Sequence, residues 1–286
     1  MEVAWLFGRG EDSLPPSPEI QPKNEDALIP EQIESILGKR AEITYYSDGK
    51  RPPVTTIEHS ENLSPTVRNE IYDDQPCFTI LLTLNMKSGC GGTIWPAAEV
   101  LGAYIASIMT RTNTSHSSHP WRGKTVVELG SGTGLIGFLV AKIGAGATTW
   151  ITDQVPMLPL MEENAKLNKH SMLDPCYIAE LNWYVLCLFR GDPIPNEVPH
   201  KPDVLLLADC VYREEAFQPL VDTMYDLASK ETEILFSYHK RRKADKRFFG
   251  MLKKHFTYDH VDDDDPQRRT AYNREGTFLM RMHLRS

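Results

Sequence analysis

A glycine-rich stretch near the middle of the chain is the first candidate for chemistry. The sequence TVVELGSGTGLIG, from Thr125 to Gly137, joins a short apolar strand pattern to a helix pattern at 135–143. The turn between them needs glycine because its backbone takes positive φ and lets a ligand lie against bare main chain. A nucleotide-like ligand is the natural occupant, although such turns also occur for packing alone.

An acidic residue follows at the position where a ribose would be bound. Asp153 ends a second strand pattern at 148–152. It comes about 20 residues beyond the turn, where a carboxylate accepts hydrogen bonds from a ribose diol. It could also cap the next helix, since Val155 and Pro156 follow it. Nicotinamide-binding and S-adenosylmethionine-binding folds share this arrangement, so the presence of Asp153 does not indicate which of the two cofactors is bound.

An aspartate and a tyrosine lie three positions apart, directly after another predicted strand. The run VLLLA at 204–208 is continuously apolar, which is typical of a strand buried on both faces of a parallel sheet. Asp209 and Tyr212 follow it directly. Their alternative roles are structural, with Asp209 as a turn carboxylate or helix cap and Tyr212 as a packed aromatic residue.

Two tryptophans also stand at predicted element ends. Trp95 precedes Pro96, which suits the first turn of a helix because proline lacks an N–H group. Trp183 follows the strand pattern at 176–180. A place in the core is the alternative for Trp95, since large aromatic side chains are usually buried for packing.

These candidates require an alternation of strands and helices to position them. Strand and helix patterns alternate from residue 125 onward, which predicts a doubly wound α/β sheet with ligands at the carboxyl ends of its strands. Four residues lie at such ends, namely Asp153, Trp183, Asp209 and His239. The predicted strands are 125–129, 148–152, 176–180, 204–208, 233–238, 256–261 and 277–284, and the predicted helices are 97–109, 135–143, 155–169, 214–228 and 244–254.

The first third of the chain has a different character. Residues 1–30 are rich in proline and charge and predict a flexible arm, because they cannot bury enough apolar surface to order themselves. Strand patterns at 42–46 and 78–86 predict an N-terminal β extension at 31–92, which we expect to cover one end of the main sheet. The remaining domain is predicted to span 93–286.

Composition excludes several classes of protein. The chain has 286 residues and a net charge of -8, which argues against a general nucleic-acid binder because such proteins usually carry a basic excess. Its five cysteines are scattered without a CxxC pair, so neither a zinc site nor a disulfide framework is indicated. No stretch approaches the roughly 20 apolar residues of a membrane span. We expect a soluble intracellular protein without a metal.

Several motifs together carry a resemblance to a known family. The ELGSGTG turn with Asp153, the LNW at 181–183 and the ADCVY at 208–212 resemble the class I, seven-strand S-adenosylmethionine-dependent methyltransferases. Within these, the chain resembles the protein-lysine methyltransferases marked by a D/E-x-x-Y/F motif after the fourth strand. The GGTIWPAAEVL and ADCVYREEAFQPL blocks are similar to those of the fungal elongation factor 1-alpha methyltransferases and of the valosin-containing-protein lysine methyltransferase.

The resemblance implies a Rossmann-like fold, a cofactor and a set of site residues. Trp95 would lie by the methionine part of S-adenosylmethionine, Asp153 would bind the ribose and Trp183 would flank the adenine. Asp209 and Tyr212 match the two defining positions of the motif and are the implied catalytic pair. The implied cofactor contacts are Trp95, Glu128, Gly130, Ser131, Gly132, Asp153, Trp183 and Ala208.

The implied chemistry suits these residue types. Methyl transfer from a sulfonium is an in-line displacement without metal or covalent enzyme intermediate, so catalysis is mostly positioning and electrostatics. The acceptor amine must be neutral, and bringing a lysine pKa of about 10.4 to pH 7 costs about 4.6 kcal/mol. We expect Tyr212 to form one wall of a semi-apolar slot that favours the neutral amine. We expect Asp209 to steer the ammonium in and to help remove its proton.

Two functions from other classes stay open at this point. A nicotinamide oxidoreductase shares the turn and the ribose acid, although the chain offers no Tyr-x-x-x-Lys constellation. A non-catalytic scaffold that keeps the cofactor site is the second alternative. Among methyltransferases, an RNA or small-molecule acceptor is also possible, and the acidic balance disfavours RNA.

The expected partner is a folded protein with basic surface around its target lysine. The resemblance points first to elongation factor 1-alpha, with a valosin-type or Hsp70-type ATPase as the second choice. We expect neither nucleic acid nor a membrane as partner, and a monomer in the cytoplasm, with the nucleus as a second location. The basic run HKRRK at 239–243 could contact acidic partner surface, but a solvated loop is the favoured interpretation.

One variant follows from the sequence as a test of the cofactor site. Gly132→Val would place a branched side chain where backbone must meet the ligand. We expect it to abolish S-adenosylmethionine binding while leaving the fold intact, as measured by calorimetry on the folded variant.

Overall fold

The computed structural model describes residues 38–48, 51–58, 71–72, 75–111, 119–183 and 193–285. The predicted arm at 1–30 lies outside these residues, and the proposed domain boundaries at residues 30 and 92 stay predictions. Within the part of the chain that the structure describes, no helix combines the length and the apolar character needed to cross a membrane.

Four strands near the N-terminus form a small antiparallel sheet in the order β2-β1-β4-β3. Two of them correspond to the predicted strands at 42–46 and 78–86, whereas the other two are short and were not predicted. The strands are β1 (Lys39–Tyr46), β2 (Val54–Glu58), β3 (Ile71–Tyr72) and β4 (Gln75–Leu84).

Seven strands form the main sheet in the order β10-β11-β9-β8-β5-β6-β7. Strands β5 to β9 are parallel, whereas β11 is antiparallel to both of its neighbours. The predicted Rossmann-like, doubly wound sheet is therefore confirmed. The strands are β5 (Thr125–Leu129), β6 (Thr148–Asp153), β7 (Cys176–Glu180), β8 (Val204–Ala208), β9 (Glu233–His239), β10 (Phe256–His260) and β11 (Thr277–Leu284).

The strand order places a crevice at the end of β5. This strand pairs with β6 on one side and with β8 on the other, so the direction in which the sheet grows reverses there. Ligands of open α/β sheets bind at such a reversal, outside the carboxyl ends of the strands. The glycine-rich turn follows β5 directly and lies at this position.

Helices cover both faces of the main sheet. The helices α1, α2 and α3 share one apolar core with the small sheet, and α4 and α5 contribute to a second core on the opposite face. The central strand serves both cores, with Val126 in the first and Val127 in the second, because successive strand residues point to opposite faces. The helices are α1 (Pro96–Arg111), α2 (Leu135–Ile143), α3 (Leu158–Asn168), α4 (Phe217–Leu227), α5 (Asp245–Leu252) and α6 (Pro266–Arg274).

Helix α6 was not predicted, and its composition explains why. Of its nine residues, Tyr272 is the buried one, so the helix has no apolar stripe that periodicity could reveal. Its N-cap is Asp265, whose side chain accepts hydrogen bonds from two backbone amides of the first turn. Arg268 joins it to α1 through the Ala103 carbonyl and the Ser107 hydroxyl, both at 3.2 Å.

The small sheet covers helices and not one end of the main sheet, so that expectation was wrong. Strand β1 packs on α1, and β4 packs on α2 and α3. Gly102 of α1 permits the close approach, because a Cβ at this position would lie 2.5 Å from Cζ of the buried Tyr45. The buried Lys142 of α2 donates a hydrogen bond of 2.6 Å to the Thr79 carbonyl of β4.

Two asparagines of α3 bind the backbone of β4. The Asn164 side chain accepts a hydrogen bond from Thr83 N at 2.6 Å and donates one to Thr83 O at 3.3 Å. One turn later, Asn168 bonds Leu81 N and O in the same way, at 3.1 and 2.7 Å. The carboxamides thus replace a neighbouring strand along β4, and these buried backbone groups need such partners.

We predict that Asn164→Ala lowers the free energy of unfolding by roughly 2 to 4 kcal/mol. The variant leaves the amide and the carbonyl of Thr83 without a partner in a buried interface. Urea unfolding of the purified protein measures the change. Glu162→Ala, at an exposed position of the same helix, serves as the control and should change stability by less than about 0.5 kcal/mol.

Candidate active site

The glycine-rich turn has the backbone conformation that the sequence predicted. Gly130, Gly132 and Gly134 all have positive φ, at 63°, 55° and 82°. Ser131 fastens the turn to β6, because its amide donates to Thr152 O and its hydroxyl accepts from Thr152 N, both at 3.0 Å. The Ser131 side chain is thus bonded within the protein, and the turn is tied to β6 by both of these hydrogen bonds.

Asp153 faces the glycine turn. One carboxylate oxygen accepts a hydrogen bond from Gly132 N at 2.8 Å, and the other accepts from Gln154 N at 2.7 Å. Burial raises the pKa of Asp153, and the two backbone hydrogen bonds partly oppose this rise. The alternative role as a helix cap is not what the structure shows, since the 3₁₀ turn Val155–Met157 that follows β6 has Gln154 as its N-cap and no side-chain cap hydrogen bond.

Glu128 lies in the interior beneath α2. Its side chain is 2% exposed, and its carboxylate accepts a hydrogen bond from Gly137 N at 3.0 Å. Burial raises the pKa of Glu128 to about 8, although hydrogen bonds from Gly137 and Ser131 act in the opposite direction. The structure therefore gives this carboxyl group a place between turn and helix, and its assignment as a cofactor contact stays a prediction.

The segment before α1 closes against the turn. Gly91 is so close that a Cβ on Gly132 would lie 2.5 Å from the Gly91 carbonyl oxygen. Trp95 is partly exposed and donates its indole N–H to the Cys90 carbonyl at 2.8 Å. The expectation that Gly132→Val would leave the structure intact is wrong, because the valine side chain would collide with backbone and strain a left-handed residue.

Trp183 and Cys210 pack beneath the turn on its other side. A Cβ on Gly130 would lie 3.1 Å from Cys210 Sγ and 3.8 Å from the Trp183 ring. Trp183 is 5% exposed, and Ala208, the last residue of β8, pairs with Ser237 of β9. Cys210 was not among the predicted site residues, because no sequence signal distinguishes a packed thiol at a strand end.

Asp209 forms an ion pair that the sequence did not predict. Its backbone is left-handed, with φ of 62°, and its two carboxylate oxygens receive hydrogen bonds of 2.5 and 2.6 Å from the Arg241 guanidinium. The adjoining backbone amide of His239 lies 3.4 Å from the same carboxylate. The guanidinium carbon of Arg241 also lies 5.3 Å from the ring centre of Trp95. Asp209 is thus paired with a cation inside the site.

The basic run at 239–243 is only partly a solvated loop. Arg241 is the internal partner of Asp209, and Arg242 donates a hydrogen bond to the Tyr212 carbonyl. Lys240 and Lys243 are exposed, as predicted. The interpretation as a solvated loop was therefore wrong for the two arginines, whose partners come from a strand end far away in the sequence.

Tyr212 joins the two walls of the site. Burial raises the pKa of its phenol, and a hydrogen bond with the Cys90 side chain adds to the rise. Cys90 in turn accepts the indole hydrogen bond of Trp95 through its carbonyl. The phenol therefore stays protonated at neutral pH, so it can orient a substrate by hydrogen bonding and packing.

The structure thus brings two groups of residues to one edge of the sheet. The first group consists of Gly130 in the turn and of Asp153 and Trp183, which lie next to the turn. The second group lies beside the first, at the ends of β8 and β9 and in the segment before α1. Among the residues that the structure describes, no cluster of three or more His, Cys, Asp or Glu could hold a metal ion. The second group consists of Trp95, Cys90, Asp209, Tyr212 and Arg241.

Comparison with known proteins identifies the family. A family model described as lysine methyltransferase matches residues 76–255, which is more than half of the chain. The chain belongs to the lysine methyltransferase family. The methyltransferase uses S-adenosylmethionine as its cofactor and methylates lysine in a protein substrate. The oxidoreductase and scaffold alternatives are set aside.

Three curated relatives illustrate the match. Protein-lysine N-methyltransferase EFM6 of Saccharomyces cerevisiae is 34% identical over 218 residues, which are 68% of this chain and 82% of that protein. Protein N-lysine methyltransferase METTL21A of Danio rerio is 30% identical over 215 residues, covering 73% and 90%. EEF1A lysine methyltransferase 3 of Xenopus tropicalis is 28% identical over 155 residues, covering 54% and 60%.

The residues of the turn suit the adenosine part of the cofactor. Each Asp153 oxygen accepts one backbone hydrogen bond, so both retain lone pairs for ribose hydroxyls. The positive φ values at Gly130 and Gly132 keep side chains away from the path along the main chain. Both features fit an adenosine ligand at the end of β5.

We predict that Asp153→Asn weakens binding of S-adenosylhomocysteine by on the order of tenfold to a hundredfold, because a hydrogen bond to a charged acceptor is lost. Isothermal titration calorimetry measures the affinity. Asp203→Asn is the matched control, since Asp203 bonds Thr125 at the opposite end of β5. Its affinity should equal that of the wild type, and equal weakening in both variants would contradict the assignment.

We predict that Glu128→Gln flattens the pH dependence of stability. Glu128 has its pKa raised to about 8, so its contribution is fully present below the ordinary value near 4.5 and is lost as pH rises through 8. The wild type should lose a few kcal/mol of unfolding free energy between pH 5 and 8.5 that the glutamine variant keeps. Urea unfolding across this range tests it, with the exposed Glu162→Gln as control.

Proposed function

We propose that this methyltransferase transfers a methyl group from S-adenosylmethionine to a lysine ε-amine of translation elongation factor 1-alpha. The meeting of Trp95, Asp209 and Tyr212 beside the glycine turn is the observation that supports the transfer step. The name of one relative, EEF1A lysine methyltransferase 3, supports the choice of acceptor, as does the motif resemblance.

We assign the cofactor contacts by their place around the turn. Gly130, Ser131 and Gly132 offer backbone along the adenosine and the methionyl carboxylate, and Asp153 binds the ribose. Trp183, packed beneath Gly130, flanks the adenine together with Ala208. Glu128 acts from the interior by holding the start of α2. Trp95 lies by the methionine end, next to the acceptor residues.

The acceptor amine approaches from the open side of the second group. Bound S-adenosylmethionine supplies an electrophilic methyl group on a sulfonium. Tyr212 provides an aromatic wall, with its phenol near the Cys90 side chain. A carboxylate oxygen of Asp209 accepts an N–H of the neutral amine, which turns the nitrogen lone pair toward the methyl group. Because Asp209 is already paired with Arg241, its role is orientation more than removal of a proton.

The partner is recognised by charge as well as by the lysine itself. The net charge of -8 favours a protein with basic surface around its target lysine, since complementary charge raises the encounter rate. We further propose that the enzyme acts as a monomer in the cytoplasm, where a translation factor is available.

We predict that Asp209→Ala and Tyr212→Phe both lower methyl transfer while cofactor affinity stays near that of the wild type. The loss should be larger for Asp209→Ala, about a hundredfold or more, because orientation and the Arg241 pair are both lost. Tyr212→Phe keeps the aromatic wall and should cost about tenfold. Calorimetry with S-adenosylhomocysteine provides the control, and an equal loss of cofactor affinity in both variants would place them in the cofactor pocket.

The acceptor is tested in a lysate of cells that lack this enzyme. We expect the purified protein and labelled S-adenosylmethionine to label one band, which mass spectrometry identifies as elongation factor 1-alpha with a methylated lysine. Asp209→Ala at the same concentration is the matched control and should leave the band nearly unlabelled. Label on a different protein, such as a valosin-type or Hsp70-type ATPase, would replace the proposed acceptor.

A further inference from the structure

The ion pair between Asp209 and Arg241 lies almost wholly inside the protein. The side chain of Asp209 is 2% exposed and that of Arg241 is 13% exposed. The two terminal guanidinium nitrogens each donate to one carboxylate oxygen, Nη1 to Oδ1 at 2.6 Å and Nη2 to Oδ2 at 2.5 Å, which is the bidentate geometry of a strong pair. The active site therefore contains a buried ion pair with well-formed bidentate geometry.

Further contacts fix Arg241 in place. Its guanidinium also donates to the His239 carbonyl at 3.2 Å and lies over the Trp95 ring. Its backbone amide donates to Asp245 at 3.1 Å. Asp245 is itself buried and accepts a hydrogen bond of 2.6 Å from the Tyr238 hydroxyl. The loop that carries Arg241 is therefore anchored to both β9 and α5.

The ion pair between Asp209 and Arg241 changes the net charge that an acceptor lysine encounters in the active site. An unpaired carboxylate within about 4 to 6 Å would stabilise the ammonium form and raise the pKa of the lysine. Methyl transfer needs the neutral amine, so an unpaired Asp209 would bind the substrate in its unreactive form. A guanidinium remains protonated throughout the pH range of the enzyme and cancels this charge.

We infer that Arg241 is a positioning residue that neutralises Asp209, so that the carboxylate can orient the acceptor amine without holding it as an ammonium ion. The inference rests on the proposed lysine acceptor and assigns a role to a residue outside the D-x-x-Y motif. It applies to whichever protein supplies the lysine.

Other charged or titratable groups surround the pair and remain in every variant described below. They come from the ends of β8 and β9, from α5 and from the segment before α1. These groups are His239, Tyr238, Asp245, Arg242, Tyr212, Cys210 and Cys90.

The test is the initial rate of label incorporation as a function of pH, at saturating S-adenosylmethionine. The acceptor is the lysate band that the wild-type enzyme labels. In Arg241→Met, we expect the rising limb of the profile to move to higher pH by about one unit or more. In Asp209→Asn, an unpaired guanidinium remains, so the limb should move to lower pH although the maximal rate falls.

Two further variants separate charge from structure. Arg241→Lys keeps the positive charge and should restore the limb toward the wild-type position. Asp209→Asn combined with Arg241→Met leaves neither charge, so its limb should lie close to that of the wild type. The double variant also avoids an unpaired buried charge, which keeps the test open if Arg241→Met does not fold.

Arg247→Met is the matched control, because Arg247 is an exposed arginine of α5 that pairs with Glu214 on the surface. Its pH profile should coincide with that of the wild type. The inference would be overturned if Arg241→Met and Asp209→Asn lowered the rate equally at every pH, with the rising limb of each profile at the wild-type position. The ion pair would then have only a structural role. If the wild-type enzyme labels no protein lysine, the proposed function fails, and the inference fails with it.

Discussion

The hydrogen bond from the Gly132 amide to the Asp153 carboxylate ties the ends of the two strands that form the crevice. Ser131 adds two bonds to Thr152, so the turn after β5 and the end of β6 form one unit. Glycine residues lose more conformational entropy on ordering than other residues, and these hydrogen bonds offset part of that cost. These bonds hold the turn against the end of β6, where we propose that the cofactor binds.

Buried polar side chains of α2 and α3 join the helices to the small sheet through hydrogen bonds. Helices α2 and α3 pack against the small sheet, so the polar side chains that face β4 are shielded from water. Asn164 and Asn168 complete the edge of β4, and Lys142 reaches a carbonyl of the same strand. Such groups cost free energy when unpaired, which makes the arrangement of the two sheets specific.

The acceptor side of the crevice is governed by a different requirement. The reacting amine must be neutral, yet a polar acceptor is needed to direct its lone pair. In the mechanism that we propose, the Asp209 carboxylate supplies this acceptor, and its ion pair with Arg241 limits its attraction for a protonated amine. The phenol of Tyr212 remains neutral in its buried position, so it adds no charge. The site is thus polar in its hydrogen bonds but nearly neutral in net charge.

The alternation of strands and helices, the glycine turn, the acid after β6 and the D-x-x-Y pair could all be predicted before the fold was known, because each depends on local periodicity or on adjacent residues. The sequence did not reveal α6, whose contacts are polar, nor the placement of the small sheet over the helices. The partner of Asp209 also escaped it, since Arg241 is 32 residues away and looked like part of a solvated run. Such pairings depend on the folded chain, because parallel strands bring distant segments to one edge of the sheet and burial then selects the partners.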